Sequence, residues 1–192
     1  AERSAVVRRD YDPKVKKEGG VYVADDGTLM QVDEGQGVPL TTRMSASNTP
    51  VDLKPKEVEW LKGFVGVRDA LKQAQYDQLN DGQWESSLKT LNKLYDAFVK
   101  QHGPILSHTV TERENADGSI SVTKRYKNQA LILLDAEGAL AYALEDIKPD
   151  GSLVKAPVLL GRTLNKPATP KITSVQDAMF VSLNDTGAFD LK

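Results

Sequence analysis

"PKEVEWLKGFVGVRDALKQAQYDQLNDGQWESSLKTLNKLYDAFVKQHGP", residues 55–104, decides how the rest of the chain is read. Val58, Leu61, Val65, Arg68, Leu71 and Gln75 recur at spacings of three and four, with Phe64 and Val67 beside them. That period places them on one face of a helix. Pro55 suits the first turn, where its missing N–H costs nothing, and Asn80-Asp81-Gly82 marks the stop. Trp84, Leu88, Leu91, Tyr95, Phe98 and His102 then continue a second stripe, widened by Leu94 and Val99. A break this short predicts an antiparallel helical hairpin over about residues 55–102. His102 falls in the last turn, where an imidazole meets exposed carbonyls and the negative end of the helix dipole. Gly103 supplies a left-handed cap and Pro104 forbids continuation, so "HGP" reads as a helix stop and not as an active site.

Working outward, residues 1–20 form a polar, charged lead-in closed by Gly19-Gly20. "VYVADDGTLMQV" predicts a hairpin with a type I′ turn at Asp26-Gly27, and residues 34–53, rich in Gly, Pro, Ser and Thr, predict a loop. Beyond the helices lies a mixed part over about residues 105–192. "SHTVTERENADGSISVTKRY" predicts another hairpin, and "NQALILLDAEGALAYALEDI" two short helices bent at Gly138. "KPDGSL" predicts a third turn, "VLLGRTLNKPATPKI" an extended run, and Ser174 onward a C-terminal helix. The expected fold is a single α+β domain over residues 21–192: an antiparallel helical hairpin packed with small antiparallel β-hairpins, plus that C-terminal helix.

The 192 residues are 40% hydrophobic, enough for a core, and contain no Cys, which excludes disulfides, thiolate zinc sites and cysteine nucleophiles. This composition fits a reducing, cytoplasmic setting. No apolar run reaches the length of a membrane span, so no membrane partner is expected. A net charge of −2 leaves attraction to nucleic acid to local patches. The first residue is not Met and "SLNDTGAFDLK" ends in mid-pattern, so the chain reads as a piece of something longer.

Motifs for chemistry are missing. There is no Gly-Lys step for a phosphate loop, "GQGVPL" lacks the third glycine of a dinucleotide fingerprint, and neither Gly-x-Ser-x-Gly nor His-Glu-x-x-His occurs. The three Asp-Gly turns lack the ligand ladder of a calcium loop. Gly63 and Gly66 space like a nucleic-acid-clamping GxxG loop but fall inside a helix, where close helix packing is the better account. The pairs Asp25-Asp26 and Glu145-Asp146 read as solvated surface. No catalytic residue, cofactor site or metal site is therefore expected. One charge feature stands out: Gly151–Lys171 carries Lys155, Arg162, Lys166 and Lys171 and no acid, a candidate for contact with a DNA backbone. Arg3, Arg8, Arg9, Lys14, Lys16 and Lys17 form a second group, diluted by acids.

The ordered phrases "GGVYVADDGTL", "YDAFVKQHGPI", "RYKNQALILLDAEGALAYALED", "GRTLNKP" and "DAMFVSLNDTGAFDL" resemble a region of very large phage- and plasmid-borne proteins that join an adenine-specific DNA methyltransferase to a Swi/Snf-type helicase, DarB-like antirestriction proteins among them. The likeness spans roughly residues 10–192. It implies a connector between methyltransferase and helicase domains, with those domains as partners and DNA nearby. The chain has no Pro-Pro for the methyltransferase motif and no phosphate loop for the helicase, so neither activity carries over to named residues. "SVQDAMFVSLNDTGAFDLK" also resembles the start of a helix-turn-helix unit. Two rivals stand beside the connector: a protein-interaction scaffold using the exposed side of the Trp84–Phe98 helix or the 34–53 loop, and a hydrolase or nuclease built on His108 with Glu112 or Asp117.

Overall fold

The computed structural model describes Arg9, Asp10 and residues 17–166. Its strands are β1 (Arg9–Asp10), β2 (Val21–Val23), β3 (Leu29–Asp33), β4 (Gln36–Pro39), β5 (Thr42–Met44) and β6 (Pro50–Asp52), followed by helices α1 (Pro55–Leu79) and α2 (Trp84–His102). Strands β7 (His108–Glu114) and β8 (Ile120–Tyr126), helix α3 (Gln129–Ile132), a 3₁₀ turn at Gly138–Ala143, strands β9 (Glu145–Ile147) and β10 (Leu153–Lys155), and helix α4 (Pro157–Leu160) complete it. The class is α+β, with a packed helical hairpin and small antiparallel hairpins. The helix expected from Ser174, the helix-turn-helix resemblance and Lys171 lie outside the described residues.

Helix α1 turns an almost continuous apolar face inward. Leu61, Phe64, Val67 and Leu71 are fully or nearly fully buried, and α2 meets them with Leu91, Tyr95 and Phe98. The two helices approach closely because Gly63 faces Phe98: a Cβ there would lie 2.9 Å from the ring. Gly66 has open space instead, so the close-packing reading holds for the first glycine only. At the closed end Asp77 ties the hairpin, its carbonyl accepting from Gly82 N–H at 2.7 Å and its carboxylate from the Ser87 hydroxyl. Leu94, expected in the stripe, is exposed, whereas Val99 packs against the core. At the far end Gly103 does not adopt the left-handed helical cap expected. Its φ of 78° and ψ of 178° lie in a region essentially confined to glycine.

The four-stranded sheet runs β1-β4-β3-β2, so the lead-in supplies one of its strands and the segment expected as a loop supplies β4, together with the separate β5–β6 hairpin. The signal missed was Glu34-Gly35. Both residues have positive φ (51° and 72°) between paired Asp33 and Gln36, the geometry of a type I′ turn. At Asp26-Gly27, where that turn was expected, only Gly27 has positive φ. Gly27 N–H bonds Ala24 C=O and Ala24 N–H bonds Thr28 C=O, a type I turn closed by a glycine bulge. The same pair of bonds recurs at Ser45–Thr49, Asn115–Ser119 and Lys148–Ser152. The common pattern is a small or polar residue, then Gly or Asn at positive φ, then Ser or Thr.

Residues 129–147 also depart from expectation. The two short helical pieces form, but Glu145–Ile147 is a strand paired with β10. Gly138 allows the bend, since a Cβ there would sit 1.9 Å from the Ile132 carbonyl oxygen. Glu145, expected on a solvated surface, is buried, while Asp146 is exposed. Among the described residues no helix is long and apolar enough to cross a membrane.

Candidate functional site

The segment from Gly151 to Lys166 lies on the closed half of the helical hairpin. Antiparallel pairing with β9 carries Lys155 to α2, where its ammonium donates to Asn92 Oδ1 at 2.8 Å, pairs with Asp96 at 2.6 Å and sits 5.4 Å from the Tyr95 ring centre. After the short α4, Arg162 reaches the turn between the helices. Its guanidinium donates to the Gln78 carbonyl at 2.7 Å, to Asp81 at 2.5 Å and to the Leu164 carbonyl at 2.8 Å, and lies 5.9 Å from the Trp84 ring centre. The buried Gln78 side chain completes the anchor by accepting from Thr163 N–H (2.9 Å) and Leu164 N–H (2.8 Å). Lys155 and Arg162 thus have side chains 31% and 27% exposed, with intramolecular partners. Lys166 is exposed.

Two buried carboxylates organise the rest, each accepting hydrogen bonds from more than one element. Asp135 accepts from Val21 N–H at 3.0 Å and from the Arg68 guanidinium at 2.5 Å. Arg68 also donates to the Val21 carbonyl at 2.8 Å and to Asp69, and burial, which disfavours its charge, is outweighed by Asp135 and Asp69, so its pKa is raised. Glu145 accepts from the Tyr95 hydroxyl (2.9 Å) and from the Ile105 and Leu106 N–H groups (2.8 Å each). Burial first, then the charge of Glu145 and its hydrogen bond, push the Tyr95 pKa well above its ordinary value. The sequence contained a signal for the first node: a lone arginine on an apolar helical stripe needs a buried partner.

A cleft of about 580 Å³ opens between the start of α1 and the end of α2, lined by Glu57, Trp60, Gln101, His102 and Asn128 among others. His102 lies against Phe98, 4.9 Å between ring centres. Glu57 is committed to the fold. Burial opposes its charge, but the Lys54 N–H and the Arg43 guanidinium prevail and hold its pKa below the usual value. The His108 constellation does not assemble. Its Nδ1 is 3.1 Å from the Leu106 carbonyl and its ring packs on Tyr126, while Glu112 lies four residues along the same strand, roughly 14 Å away at about 3.4 Å per residue, and Asp117 sits farther still at the tip of the β7–β8 hairpin.

The chain therefore presents a clamped basic segment, two internal ion and hydrogen-bond nodes, and a cleft lined by two carboxylates, Glu57 paired with Arg43 and Glu59 with Lys62. Compared with protein-family models, with curated proteins and with solved structures, it finds no match in any of the three.

Proposed function

We propose that this chain is a non-catalytic connector within a DNA methyltransferase–helicase polypeptide, holding the flanking enzymatic domains in a fixed relation inside the cytoplasm. The resemblance of the ordered phrases to such proteins supplies the setting. The observation that carries the reading is the clamp of residues 162–164 onto the turn of the helical hairpin by Arg162 and Gln78. A segment fixed at both backbone and side chain transmits orientation, which a flexible linker does not.

The test is co-purification of this chain with separately produced methyltransferase and helicase segments. Retention of both, weakened by Gln78→Ala with Arg162→Ala, is the expected result. Retention of neither would overturn the reading.

A second reading keeps DNA contact along Lys155, Arg162, Lys166 and Lys171. The part-exposed side chains of Lys155 and Arg162 and the exposed Lys166 favour it. Replacing all four by Ala should then weaken DNA binding and flatten its salt dependence. Unchanged affinity would exclude it.

A further inference from the structure

Strands β7 and β8 form a two-stranded ribbon whose residues are all exposed except His108 and Tyr126 at its base. The base is fixed to the body. Tyr126 packs edge-on against both His108 and Tyr142, and Lys127 N–H bonds the Ser107 carbonyl at 2.8 Å. Beyond it the ribbon projects about 20 Å, at about 3.4 Å per residue. A lone pair of strands is marginal in water, so a solvated ribbon of this length points to use as a surface.

The register sorts its side chains. Directly paired residues share a face, and alternate pairs share the same one. Thr109↔Arg125, Thr111↔Thr123 and Arg113↔Ser121 therefore form one face with two guanidiniums, four hydroxyls and no carboxylate. Glu112, Glu114 and Lys124 all fall on the other face, with Val110, Ile120 and Val122. Neither the Arg113 nor the Arg125 guanidinium has an ion-pair or hydrogen-bond partner among the described residues, whereas those of Arg43, Arg68 and Arg162 each pair with a carboxylate. The guanidiniums of Arg43, Arg68 and Arg162 are thus satisfied internally, while these two are displayed on a face without acids.

We propose that this Arg and hydroxyl face of the β7–β8 ribbon binds duplex DNA through its phosphate backbone. Guanidinium groups bind phosphate oxygens in bidentate fashion, and Thr and Ser hydroxyls add donors without base preference. The four-residue offset between Arg113 and the partner of Arg125 sets the two about 14 Å apart along the ribbon, far enough to engage separate phosphates. The choice of DNA as the duplex rests on the connector reading above, since contacts to phosphates alone are made equally by either duplex. The surface shares no residue with the Lys155–Lys171 stretch.

The experiment is fluorescence anisotropy of the full chain with a labelled duplex of about 20 base pairs and its single strand, from about 50 to 200 mM salt. Arg113→Ala with Arg125→Ala should weaken duplex binding about 10- to 100-fold near 0.1 M salt and lower the slope of log K against log salt by about 1.8, roughly 0.9 per phosphate contact. Both side chains are exposed, so the circular dichroism spectrum and melting temperature should stay unchanged. A control, Val110→Thr with Val122→Thr on the opposite face, should bind as the parent does. No duplex binding by the parent chain at low salt would overturn the proposal, as would an arginine variant with unchanged affinity and slope. Loss of affinity in the valine variant alone would also overturn it and place the DNA contact on the opposite face of the ribbon.

Discussion

Arg68 and Asp135 meet at 2.5 Å with both side chains fully excluded from solvent, and together they bond the carbonyl and N–H of Val21. Gly20 and Ala24 bond across to Val32 and Thr28, so the alternation of the antiparallel ladder leaves Val21's own groups on the outer edge of β2. The ion pair supplies the bonds that a neighbouring strand would make, closing the sheet edge against the helices. Asp135→Ala should cost about 3–5 kcal/mol in urea denaturation, because Arg68 loses a fully buried counter-charge. Arg68→Met with Asp135→Leu removes both charges yet should stay destabilised by about 2 kcal/mol or more, since two buried backbone groups lose their partners. A double variant as stable as the parent would refute the role of the pair at the edge.

The Tyr95–Glu145 bond predicts sensitivity to alkali. Because the folded-state pKa of Tyr95 is raised above its unfolded value near 10, the stability it contributes is fully present below about pH 10. That stability is lost as pH rises towards the higher folded value. Tyr95→Phe should cost about 1.5–3 kcal/mol at neutral pH, as a hydrogen bond to a charged group does, and should flatten the alkaline decline. Urea titrations at about pH 8 and about pH 11 check both effects. An equally steep decline in the variant would locate the effect elsewhere.

The two glycines of α1 should respond with opposite signs. Gly63→Ala drives a Cβ to 2.9 Å from Phe98, whose ring is held between Trp60 and His102, and should cost about 1–3 kcal/mol. Gly66→Ala meets nothing within 4 Å and should stabilise by about 0.5–1 kcal/mol through helix propensity. Thermal melts of the two variants, moving in opposite directions, would support the close approach of the helices at Gly63.

Gln78→Ala should free Thr163 and Leu164, whose N–H groups lose their acceptor. Faster hydrogen exchange at those two amides, with α1 and α2 still protected, is the expected pattern. Slow exchange at both would mean that the clamp does not depend on Gln78.

The helical hairpin was legible in the sequence because its information is local: a period of 3.6, a proline at one end and a glycine stop at the other suffice. The ribbon and the Asp-Gly turns were legible for the same reason, although the turn type was not, since type I with a bulge and type I′ both accept Asp-Gly. The β5–β6 hairpin escaped because Asn48 does the work that Gly does in the other three turns. Lys155 and Arg162 were visible as a run of charge without acids, but Asp96 and Asp81, which pair with them, belong to the helical hairpin, at least 59 residues earlier in sequence.

The sequence by itself therefore determined the helical hairpin, the Asp-Gly turns, the absence of cysteine chemistry and the α+β class. Only the tertiary structure decided which charges are spent inside the protein and which are displayed. Coulombic and hydrogen-bond partners are chosen by distance in space, and Arg68 finds Asp135 across 67 residues while Arg113 and Arg125, on the same short hairpin as several acids, are turned away from them by the two-residue period of the strand.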